Sequence, residues 1–137
     1  MTQTRVLLVD DVSSVLSAVA ALLQESFDVI GMVPDGRSAL EATLNLEPDL
    51  VVLDISMPGM SGIEVARELR RRPNPNKVKI VFLTVHEDSD ILATCLAAGG
   101  LGYVLKVLLD TDLIPAIKEA LAGRVFISRL SPTQDTP

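Results

Sequence analysis

Short aliphatic runs alternate with longer amphipathic segments along most of the chain. Four of these runs are rich in valine, isoleucine and leucine and contain no charged residue. Runs of this length and composition, separated by segments of helical length, predict buried parallel strands. A fifth candidate strand, at 27–33, is less apolar and is followed by the turn signal Pro34-Asp35-Gly36. The four apolar runs are 6–9, 50–53, 80–83 and 103–105.

Apolar residues recur with helical spacing in the segments between the runs, and we predict five helices. The third has a clear start, because Ser61 is followed three residues later by Glu64, which matches a capping box. Pro73-Asn74-Pro75-Asn76 ends this helix. The fourth ends near Gly99, a residue type that readily adopts the left-handed cap conformation. The predicted helices cover 12–25, 39–46, 62–72, 88–98 and 112–122.

The start of the fifth helix depends on Pro115. Proline is tolerated in the first turn of a helix but costs about 3 kcal/mol deeper inside one. Asp110, Thr111 and Asp112 are all candidate N-caps. We therefore predict a late start with Asp112 as the cap, so that Pro115 falls in the first turn.

The alternation of strand and helix, repeated five times, predicts an α/β fold built from five βα units. Right-handed crossovers then give a five-stranded parallel sheet with helices on both faces. A chain of 137 residues has the size of one domain. We assign residues 1–123 to this domain. An apolar fragment at 125–127 is followed by residues such as Pro, Ser, Thr and Gln, so we assign 124–137 to a C-terminal tail or truncated linker.

The high hydrophobic content, 48% with only 3% aromatic residues, predicts an aliphatic core and raises the question of a membrane span. The longest uncharged segment, 91–105, is interrupted by three glycines and is shorter than the roughly 18–20 residues that a span requires. The N-terminus has no signal-peptide pattern. The single Cys95 excludes an intramolecular disulfide and fits a reducing compartment. We therefore expect a cytoplasmic protein without a membrane segment.

A net charge of −6 makes nucleic acid an improbable partner of this chain. An acidic domain lacks the positive surface that binds phosphate backbones. The basic cluster of Arg67 and 70–72 lies at the end of the third predicted helix, where positive charge favours the helix dipole. We expect no direct binding of nucleic acid by this chain.

Residues that can handle phosphate or metal follow four of the predicted strands. Asp10 and Asp11 follow the first run, Asp54 the second, Thr84 the third and Lys106 the fourth. Each has a simpler explanation in isolation, as a helix cap, a turn residue, a buried hydroxyl or a surface lysine. The carboxyl ends of parallel strands, however, line one crevice of an open α/β sheet. Together these residues suit a divalent cation and a phosphoryl group.

The order and spacing of four motifs resemble the receiver domain of two-component response regulators over residues 5–123. The resemblance implies a doubly wound, flavodoxin-like (βα)5 fold with strand order 2-1-3-4-5. The Leu-Thr-Val-His-Glu-Asp segment is similar to receivers that precede LuxR-type (NarL/FixJ) DNA-binding domains. The matching motifs are Val-Asp-Asp at 9–11, Leu-Asp-Ile-Ser-Met-Pro-Gly-Met-Ser-Gly at 53–62, Leu-Thr-Val-His at 83–86 and Gly-Tyr-Val-Leu-Lys at 102–106.

The resemblance implies that Asp54 is the phosphoacceptor, which takes a phosphoryl group from a sensor histidine kinase. Thr84 and Lys106 would each contact a phosphoryl oxygen. Phosphorylation would draw Thr84 toward the phosphoryl group and swing Tyr103 inward. The surface of the fourth helix, fifth strand and fifth helix would then change and control an output.

The resemblance also implies a Mg²⁺ site. Asp11, the Asp54 carboxylate and the backbone carbonyl of Ser56 would bind the ion, with Asp10 reaching it through water. Mg²⁺ prefers oxygen ligands and keeps several waters, so few protein ligands suffice. Ser56 and His86 flank the site at positions that would modulate hydrolysis.

Two residues depart from the family pattern. Gly100 stands where alanine is usual, which would loosen the end of the fourth helix. Val107 follows the lysine where Pro, Ser or Asp is usual, and an exposed side chain there would suit a docking surface or a homodimer. LuxR-type regulators carry a helix-turn-helix after the receiver, and we expect such a DNA-binding domain to be missing from this chain.

Two other functions stay open at this point. A receiver-like interaction module would bind a partner without being phosphorylated, although the full set of site residues argues against it. A phosphatase working through an aspartyl-phosphate would carry a second carboxylate two residues after the nucleophile, and here that residue is Ser56. We therefore expect a phosphoacceptor switch and not a turnover enzyme.

Overall fold

A parallel sheet flanked by helices is the framework of the protein, seen in a computed structural model that describes residues 3–72 and 78–130. The strand order is β2-β1-β3-β4-β5-β6, so the predicted order 2-1-3-4-5 is confirmed and one short strand is added. The proposed helix stop at 73–76 lies outside the described residues. The strands are β1 (Arg5–Val9), β2 (Asp28–Val33), β3 (Leu50–Asp54), β4 (Lys79–Thr84), β5 (Gly102–Leu105) and β6 (Phe126–Ile127), and the helices are α1 (Ser13–Leu23), α2 (Gly36–Leu46), α3 (Gly62–Arg71), α4 (Ser89–Ala97) and α5 (Leu109–Leu121).

The strands in the middle of the sheet are buried on both faces, which explains their continuous apolar runs. In β1, Leu7 and Val9 pack toward α2, α3 and α4, whereas Val6 and Leu8 pack toward α1 and α5. All four side chains are at most 1% exposed. The apolar side chains of the central strands therefore form two cores, one on each face of the sheet. None of the helices in the described ranges combines the length and apolar character needed to cross a bilayer.

The predicted start of α3 and the predicted start and end of α4 are formed as expected. Glu64 N donates to Ser61 Oγ at 3.2 Å and Ser61 N donates to Glu64 Oε1 at 2.9 Å, which completes the capping box of α3. Gly99 has a φ of 101°, the left-handed conformation that ends α4. At its start, α4 is capped by Asp88, whose Oδ1 accepts from Asp90 N at 2.8 Å.

The predicted late start of the fifth helix is wrong. A short 3-10 turn, Lys106–Leu108, leads directly into α5 at Leu109, and the helix continues through Pro115. Leu109 packs against the core one turn ahead of the fully buried Leu113, so the apolar stripe begins before Asp112. Pro115 lies on the exposed side, where its ring does not disturb the core. Packing of the extra turn thus outweighs the hydrogen bond that proline cannot make.

Residues 126–127, which the sequence analysis placed in a tail or linker, form β6. This strand pairs in parallel with β5, with Phe126 opposite Gly102 and Ile127 opposite Tyr103. Ser128, the next residue, is only 2% exposed. Two residues are too few for a periodic pattern, so no strand was predicted here.

Gly100 makes room for a core side chain. A Cβ atom at this position would lie 2.4 Å from the ring of Phe82. Phe82 is fully buried in β4 and is the register partner of Tyr103. The glycine is therefore paired with a bulky residue on the neighbouring strand.

Replacing Pro115 by alanine should stabilise the fold, because the exposed position gains the missing N–H donor without disturbing the core. We expect the free energy of unfolding to rise by about 1–2 kcal/mol, which is the helix penalty of proline less its effect on the unfolded chain. Urea unfolding measures the change. Pro115→Gly is the matched control: it restores the donor but adds flexibility, and should gain about 1 kcal/mol less. A Pro115→Ala variant no more stable than the parent protein would contradict the account of α5.

Candidate functional site

The parallel register brings the predicted site residues to one edge of the sheet. Val9 of β1 pairs with Leu53 of β3, so Asp10 and Asp54, which follow them, lie side by side. Thr84 is the last residue of β4 and pairs with Leu105 of β5, the residue before Lys106. Four strand ends therefore deliver their polar residues to the same crevice.

Three carboxylates form an acidic cluster in this crevice. One oxygen each from Asp10, Asp11 and Asp54 lies within 4.8 Å of the others. Asp10 and Asp54 are 1% and 3% exposed, whereas Asp11 is exposed to solvent. Asp10 is oriented from its own loop, since Val12 N donates to its Oδ1 at 2.9 Å. The cluster thus has two buried members and one open to solvent.

Lys106 supplies the positive charge that faces the two buried carboxylates. Its Nζ lies 2.9 Å from Asp10 Oδ2 and 3.3 Å from Asp54 Oδ1. The lysine side chain is 17% exposed, so this ion pair is largely withdrawn from water. When all are ionised, one ammonium faces three carboxylates, and the crevice keeps a net negative charge.

Burial and the neighbouring charges together shift the pKa of both Asp54 and Lys106. Burial raises the pKa of Asp54 to about 6, and the neighbouring Asp10 charge adds to the increase, while Lys106 opposes it. Burial alone would depress the pKa of Lys106, but the Asp10 and Asp54 carboxylates outweigh it and raise the pKa. At neutral pH, Asp54 is therefore mainly a carboxylate that its surroundings destabilise.

The residues present fit a Mg²⁺ ion. Asp54 Oδ2 is buried and has no hydrogen-bond partner among the described residues. A buried carboxylate oxygen without a partner is costly unless a cation or donor satisfies it. The cluster offers only oxygen ligands and includes the exposed Asp11, which suits an ion that keeps several waters. His86, whose side chain is exposed, is not part of the acidic cluster.

Thr84 and Tyr103 meet at the backbone of His86. Thr84 Oγ1 accepts a hydrogen bond from His86 N at 3.0 Å, and Tyr103 OH donates to His86 O at 2.8 Å. Tyr103 is 2% exposed, and this burial raises its pKa. Its ring thus already occupies the inward position that the sequence analysis assigned to the switched state. The two residues lie on one connected path from the crevice to α4.

Ser56 and His86 have exposed side chains next to the crevice. Their predicted influence on hydrolysis therefore stays a prediction, as does the use of the Ser56 carbonyl by a metal ion. What the structure adds is a role for the main chain of His86, which no side-chain pattern in the sequence indicates.

Gly62, the last residue of the motif at 53–62, lies close to the strand end that carries Asp54, a role that the motif alone does not indicate. A Cβ atom on Gly62 would lie 2.1 Å from the main-chain oxygen of Asp54. Only glycine lets the first turn of α3 approach the strand end this closely. Gly62 N also donates to Ile55 O at 2.9 Å, which fixes the loop that follows Asp54.

Three exposed valines lie in the segments that carry the site residues, and we call them the valine rim. Val12, Val85 and Val107 are 44%, 67% and 74% exposed. Each directly follows a site residue, namely Asp11, Thr84 or Lys106. The polar crevice is therefore bordered by an apolar surface.

Residues 6–118 match the sequence profile of the response regulator receiver domain. The chain belongs to this family. The match covers both buried aspartates, Thr84, Tyr103 and Lys106. The family assignment from the four motifs is thus confirmed.

Individual relatives of this receiver domain agree with the NarL/LuxR-type subgroup. The nitrate/nitrite response regulator protein NarL of Escherichia coli K12 is 33% identical over 125 residues, which are 90% of this chain and 57% of NarL. A two-component response regulator of the LuxR family from Aurantimonas sp. SI85-9A1 superposes with a TM-score of 0.86 at 31% identity, covering 93% of this chain and 91% of that chain.

A further solved structure is the isolated receiver domain of RcsB from Salmonella enterica serovar Typhimurium, in the presence of phosphomimetic BeF3⁻. It superposes with a TM-score of 0.82 at 26% identity, covering 93% of this chain and 95% of that one. The receiver domain spans a little over half the length of the curated relatives it matches.

Asp54→Asn should stabilise the receiver domain at neutral pH. Because the folded-state pKa of Asp54 is raised from 3.8 to about 6, the fold favours the protonated carboxyl. The stability contributed by Asp54 is thus fully present below about pH 4 and is lost as the pH rises through 6. The free energy of unfolding of Asp54→Asn should therefore exceed that of the parent protein by an amount that grows across this window to about 1–3 kcal/mol. Urea unfolding at several pH values measures this difference.

MgCl2 provides the control for this experiment. A cation bound to the carboxylates stabilises the folded state by mass action. It should therefore reduce the difference in the free energy of unfolding between Asp54→Asn and the parent protein at pH 7. A gain in the free energy of unfolding for Asp54→Asn that is the same at every pH would contradict the claim that the crevice destabilises the Asp54 carboxylate.

Proposed function

We propose that this receiver domain is a phosphorylation-activated signalling switch in which Asp54 accepts a phosphoryl group from a sensor histidine kinase. The observation that carries the proposal is the arrangement around Asp54. Its Oδ1 faces Lys106 Nζ at 3.3 Å, while its Oδ2 is buried and finds no hydrogen-bond partner within 3–72 and 78–130. One carboxylate oxygen thus faces a positive charge, and the other is open to a cation or a phosphoryl group.

In the proposed transfer, a carboxylate oxygen of Asp54 attacks the phosphorus of a phosphohistidine in line. The new O–P bond forms as the N–P bond breaks, and the bonding electrons stay on the imidazole of the kinase. A pKa of about 6 leaves Asp54 largely deprotonated at neutral pH, as a nucleophile must be. Lys106 would contact a phosphoryl oxygen and stabilise its charge, which is the kind of help that phosphoryl transfer mainly requires.

Asp10, Asp11, Asp54 and the main-chain carbonyl of Ser56 would hold Mg²⁺. When bound, this ion supplies positive charge that offsets the charge of the phosphoryl oxygens. Asp10 also keeps Lys106 in place through its 2.9 Å ion pair. The acidic cluster thus has two tasks, ligation and the orientation of the lysine.

The signal would leave the crevice through Thr84 and Tyr103. A phosphoryl oxygen accepts a hydrogen bond from the Thr84 hydroxyl, whose oxygen also accepts from His86 N. Because Tyr103 OH is bonded to His86 O, any shift of this residue changes the anchor of the tyrosine. The result is a shift between two populations of the α4, β5 and α5 surface, biased by a local charge.

The valine rim supports docking of a protein partner beside the crevice. Apolar side chains around a polar centre are typical of interaction sites. An incoming helix carrying a phosphohistidine would cover these valines while its imidazole reached Asp54. The same surface is available for a homodimer through Val107, the most exposed of the three at 74%.

The switch is favoured over the two alternatives. An inert interaction module would have no need for a partly buried lysine between two buried aspartates, which is a costly arrangement. A phosphatase needs an acid/base group near the nucleophile, and the residue two positions after Asp54 is the uncharged Ser56. We therefore propose that the phosphoryl group is retained for a time and lost by slow hydrolysis.

We further propose that the output is regulation of transcription in the cytoplasm. The names of the relatives, such as a nitrate/nitrite response regulator, support a regulatory role. One structural neighbour, from Staphylococcus aureus, is a DNA-binding response regulator of the LuxR family. With its net charge of −6, the receiver domain itself is not expected to contact DNA.

Incubation with acetyl phosphate and MgCl2, followed by intact-mass measurement, tests the switch. The parent protein should gain one phosphoryl group over minutes and then lose it slowly. Asp54→Asn is the matched variant and should gain none, whereas Asp49→Asn, which changes an exposed aspartate away from the crevice, should behave as the parent. Absence of any gain would favour the inert module. Release of inorganic phosphate over many rapid turnovers would favour the phosphatase.

A further inference from the structure

The segment after α5, residues 124–130, is held to the domain by an ion pair and by hydrogen bonds at several residues, and we call it the strap. It begins with an ion pair, in which Arg124 Nε lies 2.6 Å from Glu119 Oε1 of α5. Phe126 N donates to Leu101 O at 2.9 Å, and β6 then pairs with β5. These contacts cover the edge of the sheet, which is a sufficient structural reason for the first half of the strap.

The second half of the strap contacts the elements of the proposed switch. Ser128 N donates to Tyr103 O at 2.8 Å, and its hydroxyl donates to Asp112 Oδ2 at 2.6 Å. At the end of the strap, Leu130 N donates to Glu87 Oε2 at 3.0 Å. Covering the edge of β5 does not require this last bond, because Glu87 belongs to the loop between β4 and α4.

Glu87 is next in the chain to His86, whose backbone contacts both Thr84 and Tyr103. It follows His86, whose N–H is held by Thr84 Oγ1 and whose carbonyl is held by Tyr103 OH. It also precedes Asp88, the N-cap of α4. A movement of the Thr84–His86 turn toward Asp54 would therefore displace Glu87 from Leu130.

We propose that the strap is a second output of the receiver domain, held by Glu87 in the unphosphorylated state and released at Leu130 when Asp54 carries a phosphoryl group. This inference rests on the proposed phosphorylation of Asp54. The chain continues from the released end into residues 131–137. The signal would therefore pass along the chain itself. The coupling must be reciprocal, so loss of the Glu87–Leu130 bond favours the phosphorylated state.

The test is the affinity of the full chain for BeF3⁻ at constant MgCl2, measured by titration calorimetry. Glu87→Ala removes the acceptor, and Leu130→Pro removes only the donor and leaves the charge of Glu87 in place. Each should tighten the apparent Kd about fivefold, because the bond stabilises only the unliganded state. The double variant should show no further gain, since both changes remove one interaction.

Glu119→Ala is the matched control, because it removes an exposed carboxylate that also holds the strap but at its other end. It should leave the affinity unchanged. A tighter Kd in Glu87→Ala without the same effect in Leu130→Pro would show simple charge repulsion and would overturn the inference. Equal affinities in all variants would overturn it as well. If the parent protein binds no BeF3⁻ and gains no phosphoryl group, the proposed function fails and the inference with it.

Discussion

The proximity of two buried carboxylates, Asp10 and Asp54, is the constraint on which the rest of the site depends. Like charges on adjacent strand ends repel, and burial adds to the cost. The ion pair with Lys106 offsets part of this cost, but Asp54 Oδ2 still has no hydrogen-bond partner in the described part of the chain. A cation or a phosphoryl group in the crevice can relieve what remains. The folded domain therefore contains a site that gains stability by binding.

Hydrogen bonds and close packing connect this strained crevice to the surface through which the proposed signal would leave. The crevice is connected to the surface by short hydrogen bonds through Thr84, the backbone of His86 and Tyr103. Phe82 and Gly100 pack as a matched pair beside the tyrosine, so the inner face of this region is tightly filled. Under the proposed function, a local change of charge would reach residues that are hydrogen-bonded and packed against one another. Packed regions of this kind tend to switch between discrete arrangements.

Sequence patterns predicted those features that are encoded locally. The strands buried on both faces, the Ser61–Glu64 capping box and the left-handed Gly99 each depend on neighbours in the chain. The convergence of the polar residues followed from the rule that parallel strands end at one edge.

The features that the sequence did not predict depend on contacts between distant segments. α5 starts at Leu109 because this side chain reaches the core, and local propensity at Pro115 does not reveal this. β6 forms because the edge of β5 is available to residues 126–127. The role of Gly62 lies in its approach to the Asp54 carbonyl, which no spacing along the chain indicates.

The ionisation of Asp54 itself tests the account most directly. Carbon-13 NMR of the aspartate side-chain carboxyls, followed against pH, reports the midpoint of each group. We expect Asp54 to titrate near pH 6 without metal. Its midpoint should move to lower pH when MgCl2 is added, because the cation favours the carboxylate. A midpoint close to the ordinary 3.8, unchanged by magnesium, would contradict the claim that this crevice is built around a destabilised carboxylate.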